Sequence, residues 1–91
     1  MLEFEWDADK HERNVREKGF GFEVAANIFE GSIVEREDVR FDYPELRMIA
    51  VGQVEGRFLT VVYTIRDGTR RIIAAWPANR KERLAWRKSQ E

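Results

Sequence analysis

The chain has no cysteine and a single histidine, His11, among its 91 residues. The first absence excludes a disulfide framework and thiolate zinc ligation, and the second excludes a histidine-rich metal site, so packing must hold the fold. No stretch reaches the roughly 18 consecutive apolar residues of a transmembrane helix. The N-terminus, Met1-Leu2-Glu3-Phe4-Glu5-Trp6, is acidic and lacks the basic start and apolar run of a secretory signal. A cytoplasmic protein without membrane association is expected. Repeats and low-complexity tracts are missing too, and the length leaves room for one domain, residues 1–91, with one modest core.

What is present is a globular composition with a heavily charged surface: 43% hydrophobic, 12% aromatic and 36% charged residues. The net charge of −1 conceals an asymmetry. Residues 1–45 carry 13 acids and 6 bases, whereas residues 46–91 carry 4 acids and 10 bases. A basic C-terminal half points to a polyanion-binding surface, against the plainer reading that the halves neutralise each other across the fold.

Apolar and acidic residues alternate from Leu2 to Trp6, the period of a short half-buried strand. Asp7 then suits an N-cap for a helix running to Lys18, with Asp9 early, Arg16 and Lys18 late, and Gly19 as its stop. Phe22, Ala25, Ala26 and Phe29 recur at helical spacing, which predicts a second short helix closed by Gly31. Strand patterns follow at Ile33 to Phe41, Leu46 to Gln53, Arg57 to Arg66 and Thr69 to Trp76. Their separators are Asp42-Tyr43-Pro44, Glu55-Gly56 and Asp67-Gly68, the last a two-residue turn that tolerates positive φ. The uncharged run Leu59 to Ile65 belongs to a central strand. Pro77 suits the first turn of a terminal helix to Lys88, rich in arginine and lysine and poor in apolar residues. The expected fold is α+β: a short N-terminal strand, two helices, a four-stranded antiparallel meander and a C-terminal helix.

Several strings, in this order, resemble the BrnT toxin family of the RelE-like ribonuclease group. They are Phe4-Glu5-Trp6-Asp7, then Lys10, Asn14 and Gly19, then Phe22-Glu23 with Ala25 and Phe29. Glu45 and Arg47 follow, with Gly52, Gly56-Arg57 and Val61-Val62-Tyr63-Thr64. The most telling part is Arg71-Ile72-Ile73-Ala74-Ala75 with Ala78 and Glu82-Arg83, close to the family's Arg-Ile-Ile-Ser-Ala-Arg string. The chain departs from that pattern twice: Lys18 stands where the family often has histidine, and Trp76 where it often has arginine.

The resemblance implies a RelE-like fold and a toxin that cleaves RNA without a metal or cofactor, by attack of a ribose 2′-hydroxyl on the adjacent phosphate. It also implies a ribbon-helix-helix antitoxin as partner, with a dimer formed through that antitoxin. Such chemistry needs placed cations and proton carriers, and the planar fork of arginine can hold two phosphate oxygens at once. Arg47, Arg57 and Arg71 are therefore the candidate catalytic residues for the phosphate, expected to converge on one wall, and Lys18 joins them as the residue standing where histidine is expected. Lys10, Trp76, Arg80 and Arg83 are the candidate RNA contacts, Trp76 by stacking on a base. Beside these stand plainer readings. Each arginine alone suits a solvated surface, and the three tryptophans suit core or partner contacts. His11 suits a half-buried, hydrogen-bonded position, and the acids Glu35, Glu37 and Asp38 suit a solvated edge rather than a metal site. A toxin-like module that binds RNA or a partner without cutting remains the alternative function.

Overall fold

A computed structural model describes residues 3–91 of the chain. Asp7 opens the first helix, α1 (Ala8–Lys18), by accepting from the backbone N–H groups of Asp9 (2.9 Å) and Lys10 (3.0 Å). These are donors that the first helical turn otherwise leaves unpaired. Gly19 ends the helix in the left-handed region and donates its N–H to the Val15 carbonyl at 3.0 Å.

The second helix is shorter than its spacing predicts. α2 covers only Phe22–Ala25 and tightens into a 3-10 turn over Ala26–Glu30. Gly21 lets α2 approach α1 closely, since a Cβ there would stand 2.3 Å from Cε1 of His11. His11 is the half-buried, hydrogen-bonded histidine of the plain reading: its Nδ1 accepts from the Phe22 N–H at 3.1 Å, and its ring stacks on Trp6.

The remaining strands are β2 (Val34–Glu37), β3 (Met48–Val54), β4 (Arg57–Arg66) and β5 (Thr69–Pro77), an antiparallel meander in chain order. Both tight hairpins use paired positive φ values, at Glu55-Gly56 and Asp67-Gly68, matching the right-handed strand twist. The N-terminal strand, β1 (Phe4–Trp6), does not stand apart. It joins parallel to β5, so the sheet has five strands in the order β1-β5-β4-β3-β2 rather than four. The expected start of β1 at Leu2 lies outside the described residues.

Two boundaries move for identifiable reasons. The strand expected to reach Phe41 stops at Glu37, because the Asp38 carboxylate accepts from the Arg40 N–H at 3.2 Å and turns the backbone. The terminal helix, α3 (Arg80–Ser89), starts three residues after Pro77. Pro77 instead closes β5 opposite Leu59, and Asn79 and Glu82 form a reciprocal capping box at 2.8 Å in each direction.

Strand register divides the sheet into two faces. Leu59, Val61, Tyr63, Ala50, Ile72 and Ala75 look toward α2 and the 3-10 turn and pack on Phe20, Phe22, Ala25 and Ile28. Phe4, Trp6 and Phe29 extend this core. On the opposite face lie Ile49, Val51, Thr60, Val62 and Thr64; α3 packs on the β2–β3 side of this face, and the 38–47 segment reaches it at Thr64 and Trp76. Among the described residues no helix is long and apolar enough to cross a membrane.

Candidate active site

The face opposite the aromatic core holds the charge cluster. Arg71 lies in β5 with Thr64 of β4 on one side and Glu5 of β1 on the other. Glu5 accepts from Arg71 Nη1 at 2.6 Å, and both side chains are partly exposed. Across β4, the Thr64 hydroxyl donates to the Leu46 carbonyl at 2.6 Å and ties down the residue before Arg47. The Asp38 N–H donates to the Arg47 carbonyl at 2.8 Å, which extends the β2–β3 ladder one step past Glu37 and Met48. Side chains alternate along a strand, so Arg47 belongs to the row of Ile49 and Val51, on the face of Arg71 and Thr64. One line across the sheet therefore reads Glu5, Arg71, Thr64, Arg47, Asp38.

Each guanidinium in this region has a carboxylate partner and donors to spare. Arg47 gives Nε to Glu45 at 2.8 Å and lies over Tyr43, 4.0 Å from the ring centre, leaving both terminal nitrogens free of the pair. Arg71 commits one terminal nitrogen to Glu5. An arginine has five N–H donors, so an incoming phosphate can bind without breaking either pair.

Arg40 is the residue that the sequence did not single out. Its Nε and Nη2 grip both oxygens of Asp38 at 2.8 Å, and its guanidinium faces Trp76 at 5.6 Å from the ring centre. The bidentate contact with Arg40 holds the Asp38 carboxyl at about 2, well below the usual carboxylate range. Asp38, read as part of a solvated edge, is only 3% exposed. Its oxygens are occupied by Arg40 and, at 3.3 Å, by the Tyr43 hydroxyl. An Asp-x-Arg step beyond the end of a strand was the available clue.

The other candidates divide. Arg57 does not join Arg47 and Arg71. Its guanidinium lies 5.5 Å from the centre of the Phe20 ring, on the helix-covered face, and seven residues along β4 separate it from Thr64, about 23 Å of strand. Lys18 is exposed in the last turn of α1, with no ion pair or side-chain hydrogen bond to the arginine row. Lys10 sits at the other end of α1, near the row. Its backbone N–H is the main influence lowering the Asp7 carboxyl, to which the charge of Arg71 also contributes. Trp76, opposite Thr60, shares the arginine face and directs its indole N–H to both Glu82 oxygens at 3.3 Å. Arg80 is exposed at the start of α3, whereas Arg83 is partly buried and donates to the Ala78 carbonyl at 2.8 Å, bracing the turn after β5.

A family model described as the ribonuclease toxin BrnT of type II toxin-antitoxin systems matches residues 6–82. The chain belongs to the BrnT toxin family. That span begins at Trp6, takes in Arg40, Arg47, Arg71 and Trp76, and ends one residue short of Arg83, within the first turn of α3. The family is one of ribonuclease toxins, and a type II toxin has an antitoxin protein as its partner. No curated protein matches the chain.

Proposed function

We propose that this BrnT-family protein is an endoribonuclease that cleaves RNA without a metal, by attack of a ribose 2′-hydroxyl on the adjoining phosphate. A ribbon-helix-helix antitoxin would neutralise it and form a dimer around it. One observation carries the reading: Arg47 and Arg71 flank Thr64 in a single row, each with guanidinium donors unpaired among the described residues, on the sheet face away from α1 and α2. Two arginines so placed can bind the non-bridging oxygens and stabilise the charge that builds on phosphorus. Glu45 and Glu5, each already bonded to one of these arginines, are the nearby groups able to accept a proton from the 2′-hydroxyl, while the bond from phosphorus to the 5′-oxygen breaks and that oxygen leaves with a proton. Arg40 and Trp76 extend the wall for the neighbouring nucleotide, with the indole as a stacking platform. Lys10 and Arg80 add charge at the rim. Arg57 and Lys18 take no part in the reaction.

The test is cleavage of a labelled single-stranded RNA by the purified protein in EDTA. Arg47→Ala and Arg71→Ala should each slow cleavage by about 10²–10³-fold, the usual loss when one donor to a developing oxyanion is removed. Arg57→Ala should stay within a few-fold of the unaltered protein, and the products should end in 2′,3′-cyclic phosphate. Cleavage that survives both of the first two substitutions removes the arginine row from the mechanism.

A second reading has its own support. Lys18 lies away from the row, and every arginine in it is already paired with a carboxylate. The protein would then bind RNA or its partner without cutting. RNA retained by the protein but intact after prolonged incubation would favour this reading.

A further inference from the structure

Residues 38–47, between β2 and β3, form a surface segment braced by its own ion pairs. Several of its polar groups bond one another, although Arg40 and Asp42 remain exposed. Asp38 is buried and holds Arg40 and Tyr43, Arg47 holds Glu45 and covers Tyr43, and the Asp38 N–H to Arg47 carbonyl bond closes the base. The apolar side chains point outward: Val39 is 71% exposed, Phe41 70% and Leu46 61%. Single apolar residues on a surface are ordinary, but three of them within eight residues, on a segment braced by its own ion pairs, concentrate apolar surface in one place along the chain. Because the segment is already ordered, a partner that covers it meets little entropic penalty.

The chemistry of the patch selects its occupant. An RNA backbone is a poor fit, because Glu37 and Asp42 line the same cleft as Val39 and Phe41 and would repel phosphate. Protein surfaces recognise such a feature readily, with an aromatic or aliphatic anchor inside a charged rim. Its position matters as much. The same segment carries Arg40 and Arg47, so a chain lying on Phe41 and Leu46 stands beside the arginine row and blocks the approach of RNA.

We infer that the 38–47 segment is the docking surface for the antitoxin. An apolar stretch of that protein would cover Val39, Phe41 and Leu46, and lysine or arginine side chains at its border would pair with Glu37 and Asp42. The inference rests on the toxin reading for the identity of the partner. It predicts that neutralisation works by roofing the site rather than by replacing its residues.

The experiment uses the full-length toxin and the product of the short open reading frame adjoining its gene. Binding is measured by calorimetry, and RNA cleavage is measured separately. The variant Val39→Ser/Phe41→Ser/Leu46→Ser should lose binding by about a hundredfold or more, as expected when three anchors are removed. Its circular dichroism spectrum and its rate on RNA without the antitoxin should stay unchanged. Ile65→Ser, which alters an equally exposed apolar residue outside the segment, is the control and should bind normally. The proposal is overturned if the unaltered protein does not bind that product, or if the triple variant binds as tightly as the unaltered protein. It is also overturned if the triple substitution instead dissolves a dimer of the toxin alone, which would assign the patch to a second copy of this chain. An inactive but antitoxin-binding protein would count against the nuclease reading and leave this one standing.

Discussion

The two faces of the sheet are built on opposite principles. On the helix-covered face, stability comes from shape: Phe22, Ile28, Leu59, Val61 and Ile72 are essentially sealed from water, and Phe4, Phe29 and Tyr63 meet ring to ring. Even an arginine is absorbed into this scheme. Arg70 lies over Phe29 and Tyr63 at 4.8 and 5.3 Å, and its buried Nε has no hydrogen-bond partner among the described residues. Burial pushes the Tyr63 phenol up, and its 2.6 Å bond to Glu35 pushes in the same direction. On the other face, apolar floor residues support three arginine–carboxylate pairs that remain partly open to water. Apart from the buried Asp38, the charges of one face are screened by solvent, while on the other a truncated side chain leaves a cavity in close packing.

Substitutions can break that contrast, beginning with the sealed face. Phe22→Ala should cost about 3–5 kcal/mol in urea unfolding, the range for removing a buried aromatic ring. Arg71→Ala on the far face should cost less than about 1 kcal/mol, as surface ion pairs do, even though on the proposed mechanism it should abolish most cleavage. Equal stability losses for the two would show that the faces do not divide the work.

A smaller effect tests how tightly the helical layer sits on the sheet. A Cβ at Gly52 would stand 2.8 Å from the Ile28 Cβ and 3.1 Å from the Ile33 Cγ2. Gly52→Ala should therefore lower stability by about 1–3 kcal/mol through overpacking. A neutral result would mean that the 3-10 turn over β3 yields more readily than a packed layer should.

Acid sharpens the contrast from the arginine side. The folded-state pKa of Asp38 is lowered from the ordinary 3.8 to about 2. Its stabilising effect is complete above the ordinary value and is lost as pH falls through about 2, so the sensitive window runs between about pH 4 and 2. The amount at stake is about 1–2 kcal/mol, reduced by the half-exposed position of Arg40. Unfolding midpoints for the protein and for Asp38→Asn should differ at pH 6 and converge near pH 2. A constant difference throughout would assign the effect to another group.

The smallest effect concerns the floor beneath Trp76. The Thr60 hydroxyl is fully buried and has no hydrogen-bond partner among the described residues. Thr60→Val removes an unpaired polar group at nearly constant volume, and should leave stability unchanged or raise it by up to about 1 kcal/mol. A clear destabilisation would reveal a partner for that hydroxyl, such as ordered water.

Local chemistry was legible in the sequence, and distant pairing was not. Asp7 as a cap, Gly19 as a stop, the Asp67-Gly68 turn and the uncharged core of β4 all depend on residues a few positions apart. Pro77 misled for a local reason as well: it fits both a first helical turn and a strand end, and the capping box at Asn79 decided between them. The arrangement of the arginines depends on register. Arg47 and Arg71 share a row only because β3 and β5 both pair with β4, and Arg57 falls at the far end of the same strand on the other face. Arg40 reaches the wall through Asp38 and Trp76, a contact spanning 36 positions that no periodicity announces.

The parallel pairing of β1 with β5 has a consequence for how the molecule is made. Glu5 leaves the ribosome 66 residues ahead of Arg71, its partner. At about 5–20 residues per second the first strand waits roughly 3–13 s for the last one to emerge. The arginine row is thus among the final features to assemble, and a nascent chain interrupted before β5 carries none of its completed geometry.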